Sequence, residues 1–142
     1  MAKSFKVNIV TPEKTAFEAE AESVILPGSE GYLGIWANHA PLVTGILPGV
    51  VTIKEATSGR TRFMSVSGGF LEVSDNVVNI MSDSCEEAGE IDRDRAKVAL
   101  ERAKERLRST GSEVDKERAR LALERAQARI HAVYLREGHK DI

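Results

Sequence analysis

Arginine is the side chain in this sequence with the most chemistry to offer. On a helix turning about 100° per residue, Arg118, Arg125, Arg129 and Arg136 fall within about 40° of one another, on a single line. Arg95, Arg102 and Arg106 border the apolar stripe of a preceding helix. In an antiparallel hairpin of the two, Arg95 lies level with residue 126 and Asp92 with residue 129. Arg95, Arg125, Arg129 and Asp92 then converge near the open end. Two readings stand. One is a solvated charged face with i,i+4 pairs worth about 0.2–0.5 kcal/mol each. The other is an anion site, where guanidinium forks grip phosphate and the N-terminus of the first helix adds its dipole.

Other reactive residue types lack the spacing that chemistry needs. Cys85 has His39, His131 and His139 for company but no C-x-x-C or H-x-x-x-H pattern, so a core filler is expected and no metal. Glu86, Glu87, Glu90 and Asp92 form an acidic cluster. Acid–base catalysis would need a dry pocket; a solvated linker leading into a helix N-terminus is the expected setting. Ser67-Gly68-Gly69 lacks the G-x-S-x-G frame of a hydrolase elbow. Gly28, Gly31 and Gly34 are not followed by the Gly-Lys-Ser/Thr of a phosphate loop. With no catalytic set, the chain alone is expected not to be an enzyme.

The elements that position these residues are of two kinds. Residues 5–10 alternate apolar and polar, the mark of a half-buried strand, and a turn at Thr11-Pro12-Glu13-Lys14 follows. Residues 22–26 form a second strand, stopped by Pro27-Gly28. Residues 50–53 and 62–66 flank a hairpin signal at Thr57-Ser58-Gly59-Arg60. Residues 70–73 and 77–81 flank another at Ser74-Asp75-Asn76. This rhythm predicts a sandwich or small barrel. Residues 27–43 read as a glycine-rich loop that still carries Tyr32, Leu33, Ile35 and Trp36. Those side chains either tuck back into the barrel or form a docking surface for another protein.

The period then changes. Ala96, Ala99, Leu100, Ala103 and Leu107 share one helical face, as do Ala119, Ala122, Ala126, Ile130 and Val133. Ser109-Thr110-Gly111-Ser112 separates them, and Asp92 and Ser112 stand where N-caps are favoured. The spacing predicts helices over about 92–108 and 113–136, in an αα-hairpin. Its seam is mainly alanine. Burial at about 0.8 kcal/mol per CH₂ makes such a seam weak, so the arm should be able to open or detach.

Composition agrees with two units. The 142 residues are 42% hydrophobic and 30% charged, which excludes a disordered polar chain. No apolar run reaches the roughly 18 residues that span a bilayer. The first ten residues predict no secretory signal, and the single cysteine fits a reducing cytoplasm. Residues 1–91 hold 6 Lys/Arg and 12 Asp/Glu; residues 92–142 hold 14 and 10. Six of the seven aromatics precede residue 91, leaving only Tyr134 after it. The expected division is a β-sandwich domain over 1–88 and a helical hairpin over 89–142. A basic stripe interleaved with acids is poor for nucleic acid, and none is expected as a partner.

Several stretches carry a resemblance over nearly the whole chain. They are Val10-Thr11-Pro12; the run from Gly28-Ser29-Glu30-Gly31-Tyr32-Leu33-Gly34-Ile35 into His39-Ala40-Pro41-Leu42; Ser67-Gly68-Gly69-Phe70-Leu71-Glu72-Val73; and Ile91-Asp92-Arg93-Asp94-Arg95-Ala96. In these the chain resembles the epsilon subunits of bacterial and plastid F-type ATP synthases, called delta in mitochondria. The resemblance implies a ten-stranded β-sandwich, or flattened barrel, followed by two C-terminal helices. It implies a non-catalytic rotor subunit at the foot of the central stalk, peripheral to the membrane. The expected place is the cytoplasmic face of the cell's inner membrane, or the stromal face of a thylakoid.

The same resemblance implies partners and sites. The partners are the gamma subunit, the c-ring and the catalytic beta (and alpha) subunits. The loop residues Glu30, Tyr32, Leu33, Ile35 and His39 would dock on gamma and the c-ring. The helices would fold on the sandwich or extend into the catalytic head and block ATP hydrolysis, with Arg118, Arg125, Arg129 and Arg136 meeting an acidic surface. The Ile-Asp-x-x-Arg-Ala pattern places regulatory ATP, with no required cofactor, at Glu86, Ile91, Asp92, Arg95, Ala96, Arg125 and Arg129. A stand-alone ATP-sensing module is the alternative. One departure is Ala37-Asn38 where many family members have Pro-Gly; Asn tolerates the left-handed backbone next best after Gly, so the turn should survive.

Overall fold

The computed structural model describes residues 3–109 and 111–138. Seven strands come first: β1 (Phe5–Val10), β2 (Thr15–Gly28), β3 (Gly31–Trp36), β4 (Leu42–Glu55), β5 (Thr61–Ser74), β6 (Val77–Ser82) and β7 (Cys85–Glu87). A 3-10 turn at Ala88–Glu90 leads to α1 (Arg93–Arg108) and α2 (Glu113–Arg136). Period-two alternation builds the core: in β1, Phe5, Val7 and Ile9 are buried while Lys6 and Val10 are exposed. The strand order runs β1-β6-β5-β4-β2-β3, and β1 also pairs with β2. The sheet therefore closes on itself around one core, as a flattened barrel does.

The seven strands stand against an expectation of ten. The physical reason is length. β2, β4 and β5 each run 14 residues, and β2 and β5 change partners along their length, so one long strand stands where two shorter ones are expected. The bend in β5 falls at Gly68 and Gly69, whose φ angles are +98° and +144°. A Cβ on Gly69 would sit 1.9 Å from the carbonyl oxygen of Met81, so only glycine fits where β5 turns against β6.

Residues 27–43 are not one long loop. β2 runs on to Gly28 and pairs with β3 through a tight turn at Ser29 and Glu30. The glycines that suggested a loop serve the hairpin: the ring of Trp36 lies over Gly34, where a Cβ would meet Cη2 at 2.6 Å. Asn38 takes the left-handed conformation expected of it, with φ 63°. Its backbone N–H donates to Asn76 Oδ1 at 2.7 Å. Asp75 and Asn76, both at positive φ, form the two-residue turn between β5 and β6.

Asp92 and Ser112 cap the two helices, accepting from the N–H groups of Arg95 and Asp115 at 3.1 and 3.2 Å. α1 packs on α2, and α2 packs on β4 and β5. α2 thus needs two apolar faces, about 150° apart. Ala119, Ala126 and Val133 form one. Ala128, Ala132 and Leu135 form the other, where Ala132 and Leu135 join Val50, Phe63, Ala88 and Ile91 in a second small cluster.

The main cluster of buried residues runs from Phe5 to Ile80 and contains no helical residue. We therefore expect residues 1–88 to fold as an isolated fragment with a cooperative melt. Residues 89–142 alone should be largely unstructured, because helical stability comes mainly from tertiary packing and an alanine seam buries little. Circular dichroism melts of the two fragments check this; a cooperative melt of the helical fragment at ordinary temperature would contradict it.

Candidate functional site

β7 and the open end of the hairpin meet in a cleft of about 580 Å³. Glu86, Glu90, Ile91, Asp92, Arg95, Ala96, Val98, Ala99, Arg102 and Arg129 line it. Asp92 and Arg95 come from the start of α1, which the Asp92 cap fixes. Arg129 reaches in from α2, from the line between its two apolar faces. Its Nε donates to Glu86 Oε1 at 2.6 Å, with the two side chains 34% and 38% exposed. Nearby, Arg93 pairs with Glu137 across the hairpin's open end, and the Arg136 guanidinium lies over Gly89.

Six of the seven expected nucleotide residues thus come together: Glu86, Ile91, Asp92, Arg95, Ala96 and Arg129. Arg125 does not line the cleft; it is exposed on α2, one turn from Arg129. Val98, Ala99 and Arg102 join the lining unexpectedly, and α1 periodicity could have found them, since Arg102 stands seven residues after Arg95 on the same face. Three guanidinium groups against three carboxylates make the cleft a place where anions and Asp/Glu side chains compete for the same donors.

A second ionic group lies just behind it. Arg62 on β5 donates from Nε to Glu55 Oε1 at 2.5 Å and from Nη1 to Glu87 Oε1 at 2.7 Å. Its guanidinium, with Ser58 helping, holds the Glu55 carboxyl below its usual range. Cys85, beside Glu86, packs against the main core. Burial first, then the neighbouring carboxylates, push its thiol up to about 11. Among the described residues no three His, Cys, Asp or Glu are grouped to hold a metal. His139 lies outside the described residues.

The expected docking set does not form one surface, because successive strand residues face opposite ways. Ile35 is 1% exposed and belongs to the main core, and Leu33 packs against that core. Both must be withdrawn as docking residues. Tyr32 is exposed on the side of α2, and its hydroxyl accepts from Val50 N–H at 3.3 Å. Glu30 is exposed at the β2–β3 turn, and His39 Nδ1 lies 2.7 Å from Ala40 O.

A different surface is apolar. Val10 pairs with Met81, Met81 with Phe70, and Phe70 with Gly45, so the four positions form a row across β1, β6, β5 and β4. Val10, Met81 and Phe70 are all exposed, Phe70 by 62%. Val43 (72%) and Leu47 flank Gly45 on the same face of β4. Sequence reading missed the row because its members lie far apart in the chain and only the register joins them.

Comparison with known proteins places this architecture. Residues 4–88 match the family model described as ATP synthase, Delta/Epsilon chain, beta-sandwich domain. Residues 90–133 match ATP synthase, Delta/Epsilon chain, long alpha-helix domain. The ATP synthase epsilon chain of Desulforamulus reducens is 45% identical over 112 residues, 79% of this chain and 83% of that one. That of Moorella thermoacetica is 47% identical over 105 residues, 74% and 78% of the two chains. A chain in the Euglena gracilis mitochondrial ATP synthase, solved as OSCP/F1/c-ring, superposes with a TM-score of 0.80. It is 23% identical, with 98% of this chain and 84% of that one covered, a likeness of fold alone.

A β-sandwich followed by a two-helix arm is thus the architecture of an ATP synthase subunit of the delta/epsilon type. The chain belongs to the ATP synthase delta/epsilon chain family.

The raised thiol gives a direct check on β7. At pH 8 we expect Cys85 in the native chain to alkylate at least about a hundredfold more slowly than in urea, from the drop in thiolate alone. The native rate should rise about tenfold per pH unit toward 11. Iodoacetamide labelling followed by mass spectrometry measures both.

Proposed function

We propose that the chain is a rotor subunit of the central stalk of an F-type ATP synthase, on the cytoplasmic face of the membrane. Its sandwich docks on the gamma subunit and the c-ring, and its helices restrain ATP hydrolysis. One observation carries this reading: the arm lies on a sandwich whose core is complete without it, held by small side chains and half-exposed ion pairs. Such an arm can leave without unfolding what it leaves. Extended into the catalytic beta and alpha subunits, it would present Arg118, Arg125, Arg129 and Arg136 to an acidic surface. Pairs of that kind strengthen where they become partly desolvated.

The apolar row is the surface we assign to gamma. Exposed apolar side chains contiguous across four strands are uncommon on a monomer. Glu30, at the exposed β2–β3 turn, is left for the c-ring.

ATP is the regulatory ligand we assign to the cleft, whose volume suits a small molecule. The residues fit a polyphosphate in donor type: Arg95 and Arg129 would hold it, and Ile91 and Ala96 offer apolar surface beside them. Binding there favours the folded arm, because a ligand shifts a conformational equilibrium toward the state it prefers.

Two experiments in the assembled complex test the reading. Deleting residues 89–142 should raise ATP hydrolysis several-fold and leave synthesis largely intact. Arg95→Ala should abolish ATP binding and deepen inhibition; unchanged hydrolysis on deletion removes the regulatory role, and no binding by the wild-type chain at millimolar ATP removes the nucleotide.

The docking surface has its own test. Val43→Ser with Phe70→Ser alters exposed positions and should change stability by no more than about 1 kcal/mol. Attachment to the rotor should fall at least about tenfold. Pull-down against gamma, with the melting temperature as control, separates the two; full attachment would move the docking site elsewhere.

A further inference from the structure

Glu86 and Glu87 are neighbours on a strand of three residues, so their side chains leave it on opposite sides. Glu86 meets Arg129 of α2 at 2.6 Å. Glu87 meets Arg62 of β5 at 2.7 Å, and the other arm of that guanidinium holds Glu55 at 2.5 Å. β7 itself has only Met64, Ser65 and Val66 as ladder partners. Packing anchors both ends, Cys85 against the main core and Ala88 just beyond in the second cluster, which leaves the course of Glu86 and Glu87 between them to be set. Ionic contacts on its two sides hold it between the sandwich and the arm.

We propose that Arg62 is a positioning residue for the folded arm: by gripping Glu87 it sets β7 so that Glu86 is presented to Arg129. Arg62 does not line the cleft, and its guanidinium hydrogen-bonds go to Glu55 and Glu87. It acts at one remove, through two adjacent carboxylates. A guanidinium suits the task because its fixed fork serves two carboxylates from different nitrogens. Its loss would also leave Glu55 and Glu87, both partly buried, to repel each other with only the weaker pull of Arg60 on Glu55 to offset it. That repulsion would push on β7 directly. The assignment rests on the reading of the arm as a movable element.

The test is amide hydrogen exchange of α2 in the full-length chain at neutral pH, read peptide by peptide, beside the melting temperature of the sandwich. Arg129→Gln should speed exchange in α2 by roughly three- to tenfold, the scale of a half-exposed charge-assisted pair. Arg62→Gln, a change on β5, should do the same. Combining the two should add little to either alone, since both break one chain of contacts. Glu55→Gln should lower the melting temperature but leave α2 exchange unchanged, because Arg62 then serves Glu87 undivided. Arg62→Lys should restore part of the protection.

The outcomes decide between the ideas. If Arg129→Gln speeds exchange and Arg62→Gln does not, Arg62 has no hold on the arm and the assignment is overturned alone. Equal effects of Arg62→Gln and Glu55→Gln would mean a general loosening of the sandwich, which also overturns it. Additive effects of Arg62→Gln and Arg129→Gln would do so too. Should Arg62→Gln fail to fold, Glu87→Gln breaks the same contact from the strand side and must show the same protection loss. If α2 exchanges only by global unfolding even in Arg129→Gln, the movable arm itself falls, and this assignment with it.

Discussion

Ala132 brings α2 down onto Val50 and Phe63, and Ala119 and Ala126 face α1 on the opposite side of the helix. Small side chains on opposite faces let one helix lie between two neighbours at close range. They also limit what that closeness is worth, since each buried methyl contributes little. Longer side chains at these positions would either hold the arm fast or force it off the sheet. The arm's affinity for the sandwich is thus set low by composition, and ionic contacts at the open end supply the rest. Arg129–Glu86, Arg93–Glu137 and the Arg136 guanidinium over Gly89 all lie at that end. The other end of the hairpin, near Ser109 and Gly111, lies far along the helices from these anchors.

Much of this could be read from the residues. Strict alternation in β1, the Asp75-Asn76 turn and the caps at Asp92 and Ser112 are local signals, and the structure has each where local physics puts it. β3 was hidden because glycine is both a loop residue and the only residue that can lie beneath the ring of Trp36. The 14-residue strands were hidden because a bend at Gly68 and Gly69 looks, one residue at a time, like an end. The second apolar face of α2 was hidden because Ala128 and Ala132 do not stand out in an alanine-rich helix. Six of the seven residues expected at the cleft were legible from a motif and a helical period together. Arg125 failed because a helical line is straight, whereas a cleft has an edge.

The ion group of Glu55, Arg62 and Glu87 shows a different limit. Its members come from the ends of three strands, and no spacing announces them. Only the pairing of Met64 with Glu87 and of Ile53 with Arg62 brings them level. Yet the consequence is local and chemical. Two carboxylates need one guanidinium, and the strand that carries one of them also carries the side chain that holds the arm. Information about the sandwich's end can reach the arm through two adjacent residues, with no rearrangement of the core.

Arg129 stands where these arguments meet. In the folded arm its charge is answered by Glu86, so the folded state needs no ligand to be electrically satisfied. A phosphate entering the cleft must share Arg129 with Glu86 or displace it, and either lowers the net gain from binding. On the proposed reading, extension of the arm returns Arg129 to the line it shares with Arg118, Arg125 and Arg136 and leaves Glu86 to water. The same guanidinium then counts in both states, once against a carboxylate of its own chain and once against a partner's. Exposed pairs of this kind are worth about 0–1 kcal/mol each, so neither state gains a decisive advantage from it alone. That near-balance is what lets a modest ligand or a weak partner surface tip the arm: a coupling of about 1.4 kcal/mol shifts the equilibrium tenfold.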